Sequence, residues 1–337
     1  MEALLYERLP EKKVGCHLCN HRCIIKPGDR GICRVRENRE GVLKTLVYGR
    51  IIARHIDPIE KKPLFHFMPG SFSYSIATVG CNFKCRFCQN ADIAQMPEDY
   101  DGALSGARVT PEEVVSAALK GKCRSISYTY TEPTIYFELA LKTAEIAHEK
   151  GLKNVFVTNG YMTPEALKMI SPFLDAANVD LKAFTDEFYR SFCKARLEPV
   201  KETLKLMKKM GILLEVTTLL IPGLNDDPDE LQQLAAFIKN ELGPETPWHV
   251  SRFHPTYRLT DRPPTPVETL LKARAIGIDS GLRYVYVGNV PGEMGENTLC
   301  HGCGDLLIER RGFVVEINRV QNGRCPGCGQ TVYGVGM

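Results

Sequence analysis

Gly80-Cys81-Asn82-Phe83-Lys84-Cys85-Arg86-Phe87-Cys88-Gln89-Asn90 sets three cysteines in a C-x3-C-x2-C loop. Three thiolates suit three corners of an iron–sulfur cubane, whereas ordinary electron-transfer clusters take four cysteines. Three leave one iron open to a ligand from outside the chain. A zinc site lacking its fourth ligand is the plainer alternative for such a loop. The spacing, the aromatic Phe87 directly before the third cysteine and the apolar run Ser73–Val79 just upstream favour the cubane.

Downstream of the loop, apolar runs recur at Ser125–Tyr130, Asn154–Thr158, Ala177–Leu181, Leu213–Leu220, Trp248–Phe253 and Tyr284–Gly288. Helical patterns lie between them. Thr110-Pro111-Glu112-Glu113 and Thr163-Pro164-Glu165 place a capping residue, a proline and acids ahead of apolar-periodic stretches. Asp227–Glu241 and Val267–Ser280 read as amphipathic helices. Strands alternating with helices predict an α/β chain with a parallel sheet, closed into a full or partial (β/α) barrel. In such barrels chemistry sits at the C-terminal ends of the strands. In the fifth run, Glu215, Thr217 and Leu219 share one face and Val216, Thr218 and Leu220 the other. Alternation alone does not say which face is inward.

Two further cysteine sets flank the predicted barrel of residues 71–292. Residues 1–70 form an N-terminal unit with Cys16-x2-Cys19-x3-Cys23-x9-Cys33. Zinc is the expected occupant there, with an auxiliary 4Fe–4S cluster as the alternative. His17 and His21 read as solvated loop residues. Residues 293–337 carry Cys300-x2-Cys303 and Cys325-x2-Cys328, the spacing of a zinc ribbon or rubredoxin-like module; zinc is expected, and iron suits the same geometry. Cys123 and Cys193 stand alone and read as packed thiols.

The 337 residues carry thirteen cysteines, and eleven of them fall in these three sets, which points to metal rather than disulfides and to a reducing, cytoplasmic setting. A formal net charge of +3 gives no electrostatic case for nucleic acid. The longest apolar stretch, Ile212–Ile221, is short and broken by Glu215, so no membrane partner is expected.

Together these motifs resemble the radical S-adenosylmethionine (SAM) superfamily. Over nearly its whole length the chain is similar to the radical SAM enzyme of the AmmeMemoRadiSam system, itself similar to pyruvate formate-lyase activating enzyme. Cys16–Cys19, Pro27–Cys33, Tyr128–Thr134, Trp248–Pro255 and the terminal cysteine module carry that resemblance. It implies a 4Fe–4S cluster on Cys81, Cys85 and Cys88, with SAM chelating the open iron. Reductive cleavage would then yield a 5′-deoxyadenosyl radical that abstracts hydrogen from a protein, peptide or small molecule.

The resemblance also implies SAM-binding roles. Glu132 stands in Tyr130-Thr131-Glu132-Pro133, where activating enzymes carry Gly-Gly-Glu-Pro. Asn159 stands in Thr158-Asn159-Gly160, with Val157 where they carry aspartate. Asp180 and Lys182 belong to an Asp-Leu-Lys segment, and His254 to Phe253-His254-Pro255. Expected partners are a reductant such as flavodoxin or ferredoxin, and Memo-like and AMMECR1-like proteins. Activation of a glycyl radical enzyme is the nearest alternative. A metal-stapled scaffold binding RNA or protein is the alternative of another class.

Overall fold

The computed structural model describes residues 1–290 and 294–337. Its centre is an eight-stranded sheet of β1 (Ala53–Pro58), β2 (Phe72–Ala77), β3 (Ser125–Tyr128), β4 (Lys153–Thr158), β5 (Ala176–Asp180), β6 (Leu213–Leu220), β7 (Trp248–Arg252) and β8 (Val285–Gly288). The strands neighbour one another in sequence order. β2 to β8 pair in parallel, each at one of the predicted apolar runs. β1 lies antiparallel to β2, and β1 and β8 are not paired, so the barrel is partial.

β1 is an addition to the sequence reading, which left residues 53–58 in the N-terminal unit. Only two of its six residues are apolar side chains, Ala53 and Ile56, so periodicity does not mark it. The expected boundary at residue 70 therefore falls in the connection between two hydrogen-bonded strands.

Helices cover the outer face. α1 (Pro111–Lys120) opens on a full capping box, with Glu113 N–H donating to Thr110 Oγ1 at 3.2 Å and Thr110 N–H to Glu113 Oε2 at 2.8 Å. α2 (Phe137–Glu149), α3 (Pro164–Ile170), α4 (Leu197–Lys209), α5 (Pro228–Phe237) and α6 (Val267–Asp279) complete the layer. Thr163 and Asp227 cap α3 and α5, which satisfies N–H groups that a helix start leaves free.

The N-terminal unit packs on this body through a buried ion pair. Arg36 Nη2 donates to Glu138 Oε1 of α2, and both side chains are almost fully buried. Glu138 Oε1 also accepts from Leu4 N–H at 2.8 Å. The C-terminal module is a small antiparallel sheet, Thr298–Leu299, Leu306–Arg311 and Val314–Asn318. It docks near the unpaired side of the barrel. Arg310 lies over the Phe65 ring at 4.3 Å and donates to the Phe65 carbonyl at 2.8 Å. Phe65 in turn meets Tyr286 of β8 and His249 of β7, both at 4.8 Å.

His66 ties these parts together. Its Nδ1 is 2.6 Å from the Tyr333 carbonyl, which can only accept, so Nδ1 carries the proton. Nε2 then accepts from the Tyr286 hydroxyl at 2.7 Å. This is a neutral imidazole with both nitrogens satisfied, and burial pushes its pKa down to about 4 from 6.5. Between those values the unfolded chain binds a proton that the folded chain refuses. Stability is thus complete above pH 6.5 and falls as the pH drops toward 4, by up to about 3 kcal/mol from this residue. Thermal melts of wild type and His66→Gln across pH 7 to 4 should show a steeper loss for wild type. Equal slopes would mean that another group sets the dependence.

Candidate active site

The loop after β2 is held from several sides. Phe83 and Phe87 are buried, and Phe87 packs on Phe188 at 5.7 Å. Lys84 N–H donates to the Cys193 carbonyl at 2.9 Å and Arg86 N–H to the Phe192 carbonyl at 3.0 Å. Gln95 Nε2 donates to the Phe83 carbonyl at 3.1 Å. Gly80 enters the loop with φ +102°, and a Cβ there would lie 2.7 Å from Val35. The result is that Cys81, Cys85 and Cys88 all open on one cavity of about 540 Å³ at the strand ends. Burial beside Cys85 pushes the Cys88 thiol up to about 12. Loading the site with metal therefore releases protons, because thiolates are the ligands.

β3 leads into Thr129-Tyr130-Thr131-Glu132. Glu132 is 2% exposed and saturated by the fold. Its Oε1 accepts from Thr134 N–H at 3.0 Å, Thr134 Oγ1 at 2.5 Å and Thr158 Oγ1 at 2.7 Å; Oε2 accepts from Asn159 N–H at 2.8 Å. The carboxylate thus links the ends of β3 and β4. Asn159 Nδ2 donates to Asn82 Oδ1 at 2.7 Å, which carries the network into the cysteine loop. Lys182 Nζ pairs with Asp180 Oδ2 at 2.9 Å and lies 5.8 Å from the Phe87 ring. Partial burial works against the Lys182 charge, yet the adjacent Asp180 carboxylate and the nearby Cys85 and Cys193 thiols hold the ammonium well above the ordinary lysine range.

Glu132, Asn159, Asp180 and Lys182 therefore share a cavity lining with the three cysteines. His254 does not: it is exposed and outside the lining, a correction to the expected cofactor contact. β7 turns His249 and Ser251 into the cavity, while Trp248 and Val250 pack behind the sheet; His254 lies past the end of that strand at Arg252, on the exposed connection that follows. Parity also resolves β6, whose Thr217 and Leu219 line the cavity while Thr218 bonds Trp248 Nε1 behind it at 2.9 Å.

Lys62, on the segment after β1, gave no sequence signal. Its Nζ is 2.6 Å from Asp57 Oδ2 and 4.7 Å from the centre of the Tyr130 ring. The Tyr130 hydroxyl donates to the same Asp57 oxygen. Tyr130 has φ +62°, the left-handed backbone that favours the glycine found at this place in activating enzymes. The Asp57–Lys62 contacts offset that strain and put a phenol and an ammonium beside the cysteine loop. Glu296 and Phe313 of the C-terminal module complete a wall of the cavity.

The outer cysteine sets differ in geometry. Cys300 and Cys328 Sγ are 3.5 Å apart, and Cys303 and Cys325 Sγ 3.7 Å. A tetrahedron with metal–sulfur bonds of about 2.3 Å has edges of about 3.8 Å, so these four sulfurs suit one additional metal ion. They close to within 4.8 Å of one another. Among the described residues, neither Cys81, Cys85 and Cys88 nor the N-terminal set makes such a tight group.

A parallel sheet in a partial barrel, with a three-cysteine loop open to a cavity at its strand ends, defines a radical SAM enzyme. The profile of that superfamily matches residues 75–238, and the chain belongs to it. It is 52% identical over 333 residues to the uncharacterized protein MJ0808 of Methanocaldococcus jannaschii, covering 98% of each chain. The pyruvate formate-lyase-activating enzyme of Clostridium pasteurianum is 23% identical over 167 residues, 48% of this chain and 67% of that enzyme. Among solved structures, Streptococcus suis SuiB bound to the precursor peptide SuiA superposes with a TM-score of 0.52 at 12% identity, over 69% of this chain and 52% of SuiB. That likeness concerns the fold alone. No helix among the described residues is long and apolar enough to cross a membrane.

Proposed function

We propose that this radical SAM enzyme abstracts hydrogen from a polar small molecule, or from one side chain of a peptide or protein, held inside the barrel cavity. The observation that supports this reading is the shared lining: the three cysteines face the same space as Lys62, Tyr130, His249 and Glu296. The cluster and SAM, when bound on Cys81, Cys85 and Cys88, supply the 5′-deoxyadenosyl radical. In this reading Glu132 and Asn159 shape the SAM pocket, and Asp180 and Lys182 hold SAM by charge. Lys62 and Tyr130 orient polar groups of the substrate. The Phe65 and Phe313 walls keep water from the reacting atoms.

The wider assignment follows the same system. The electron donor is a flavodoxin or ferredoxin, and Memo-like and AMMECR1-like proteins act with this enzyme. Zinc occupies the C-terminal cysteines, and the setting is the cytoplasm, where thirteen free cysteines stay reduced. Activation of a glycyl radical enzyme is the second reading, favoured by Glu132-Pro133, Asp180-Leu181-Lys182 and the similarity to an activating enzyme.

Anaerobic reconstitution with dithionite, SAM and deuterated candidate substrates tests the choice. Deuterium in 5′-deoxyadenosine from a cavity-sized compound is the expected result. A persistent glycyl radical signal in a partner protein, with no transfer from small molecules, would replace the first reading by the second. A protein that forms no 5′-deoxyadenosine at all would fit the scaffold alternative and defeat both.

A further inference from the structure

Cys16 is buried, and Cys19, Cys23 and Cys33 are half-buried. Two of them face one point: a Cβ on Gly31 would sit 3.8 Å from Cys23 Sγ and 3.9 Å from Cys33 Sγ. Arg36 Nη1 lies 3.6 Å from Cys16 Sγ. Yet among the described residues these sulfurs do not close to the mutual 4.8 Å reached by the C-terminal set. A single zinc ion needs edges of about 3.8 Å. The chain shows that compact spacing at Cys300, Cys303, Cys325 and Cys328, and lacks it at Cys81, Cys85 and Cys88, which would hold three separate irons of a cubane. Like the catalytic-loop cysteines, the N-terminal set falls outside that compact spacing among the described residues.

A second observation points to an anionic occupant. Arg36 is 1% exposed, and its Nε has no hydrogen-bond partner although Nη1 and Nη2 are bound. Glu138 takes Nη2 and Cys16 Sγ lies 3.6 Å from Nη1, but the buried Nε–H on the same guanidinium is costly unless a further acceptor lies near. A cluster carrying four thiolates is such a group.

The set also abuts the catalytic loop. Cys33 O would lie 3.2 Å from a Cβ on Gly80, the residue before Cys81. His21 Nε2 is 2.8 Å from the Asn82 carbonyl, and Asn82 Oδ1 accepts from Asn159. Tyr161 fills the space between, 4.9 Å from the His21 ring and 5.1 Å from Phe83. Asn20 N–H donates to the Tyr161 carbonyl at 2.9 Å. On the far side, Ile24 and Ile32, beside Cys23 and Cys33, are 70% and 43% exposed. One face of the set meets solvent and the other meets the catalytic loop.

We infer that Cys16, Cys19, Cys23 and Cys33 hold a fully ligated 4Fe–4S cluster that takes up electrons and passes them to the catalytic cluster. Four protein ligands leave no iron open, which suits electron transfer and not SAM binding. A low-potential one-electron protein carrier is oxidised by one electron, the N-terminal cluster is reduced by one, and that electron moves on to the catalytic cluster. No bond in the protein is made or broken. The transfer half of this inference rests on the radical SAM reading of Cys81, Cys85 and Cys88; the composition half does not.

The test begins with Cys81→Ala/Cys85→Ala/Cys88→Ala, which leaves the N-terminal site intact. Anaerobic reconstitution should leave about four irons and four acid-labile sulfides on this variant. Dithionite should produce a paramagnetic signal that added SAM does not alter. One zinc at the N-terminal site with no labile sulfide would overturn the inference, whatever the catalytic cluster does. In Cys19→Ala/Cys33→Ala, the SAM-responsive signal should persist under dithionite, which needs no docking, while reduction by flavodoxin is lost. Undiminished reduction by flavodoxin would refute the relay and leave the cluster assignment standing.

Discussion

Substitution of Cys85 by alanine is expected to abolish the SAM-responsive cluster and 5′-deoxyadenosine formation together, lowering the rate by at least about 1,000-fold. Cys85 is the fully buried member of its triad and is held between two backbone bonds, those of Lys84 and Arg86 to residues 192 and 193. Its loss cannot be made good nearby. Cys193 neighbours Cys85 closely enough to raise its thiol pKa, but it lies outside the cavity lining. Cys193→Ala is therefore the matched control and should keep both cluster and cleavage. Iron and sulfide counts, SAM-dependent changes in the paramagnetic signal, and product chromatography read the three chains side by side. A Cys85→Ala chain that still cleaved SAM would remove the three-cysteine loop from the chemistry.

Glu132→Ala should have the largest effect among the residues that hold no metal. The carboxylate accepts four hydrogen bonds, from Thr134 N–H, Thr134 Oγ1, Thr158 Oγ1 and Asn159 N–H. Alanine leaves those donors buried without an acceptor, and each such group costs about 1–3 kcal/mol. Partial relaxation brings the total to about 3–5 kcal/mol. SAM binding should weaken as well, because Asn159 loses the anchor that aims its side chain at Asn82.

Glu132→Gln should be intermediate. If the amide oxygen keeps the Oε1 place, the amide nitrogen faces the Asn159 N–H, donor against donor; the flipped amide faces three donors instead. Denaturant melts of the metal-free chains and SAM titrations of the loaded ones measure the two effects separately. An alanine variant as stable as wild type would show that Glu132 does not organise the strand ends.

Much of this protein is written in short stretches of chain. The three-cysteine loop, the parallel strands and the caps at Thr110, Thr163 and Asp227 follow from contiguous residues, because backbone geometry repeats every two or 3.6 positions. Asp180 and Lys182 stand at a strand end, which in a barrel puts them near the mouth, although their SAM role came from resemblance. Glu132 and Asn159 rested on resemblance to activating enzymes, and the fold brings both to the cavity with bonds that no motif describes.

Other features required the folded chain. Tertiary packing turned Thr217 and Leu219 into the cavity, left His254 outside it and brought Lys62 into it from a segment with no strand pattern. The same holds for the sulfur spacing that separates the two outer cysteine sets. Sequence spacing counts residues along the chain, whereas a metal responds to distances in space. Those distances are set by contacts such as Arg36 with Glu138 and His21 with Asn82, each more than sixty residues apart in the chain.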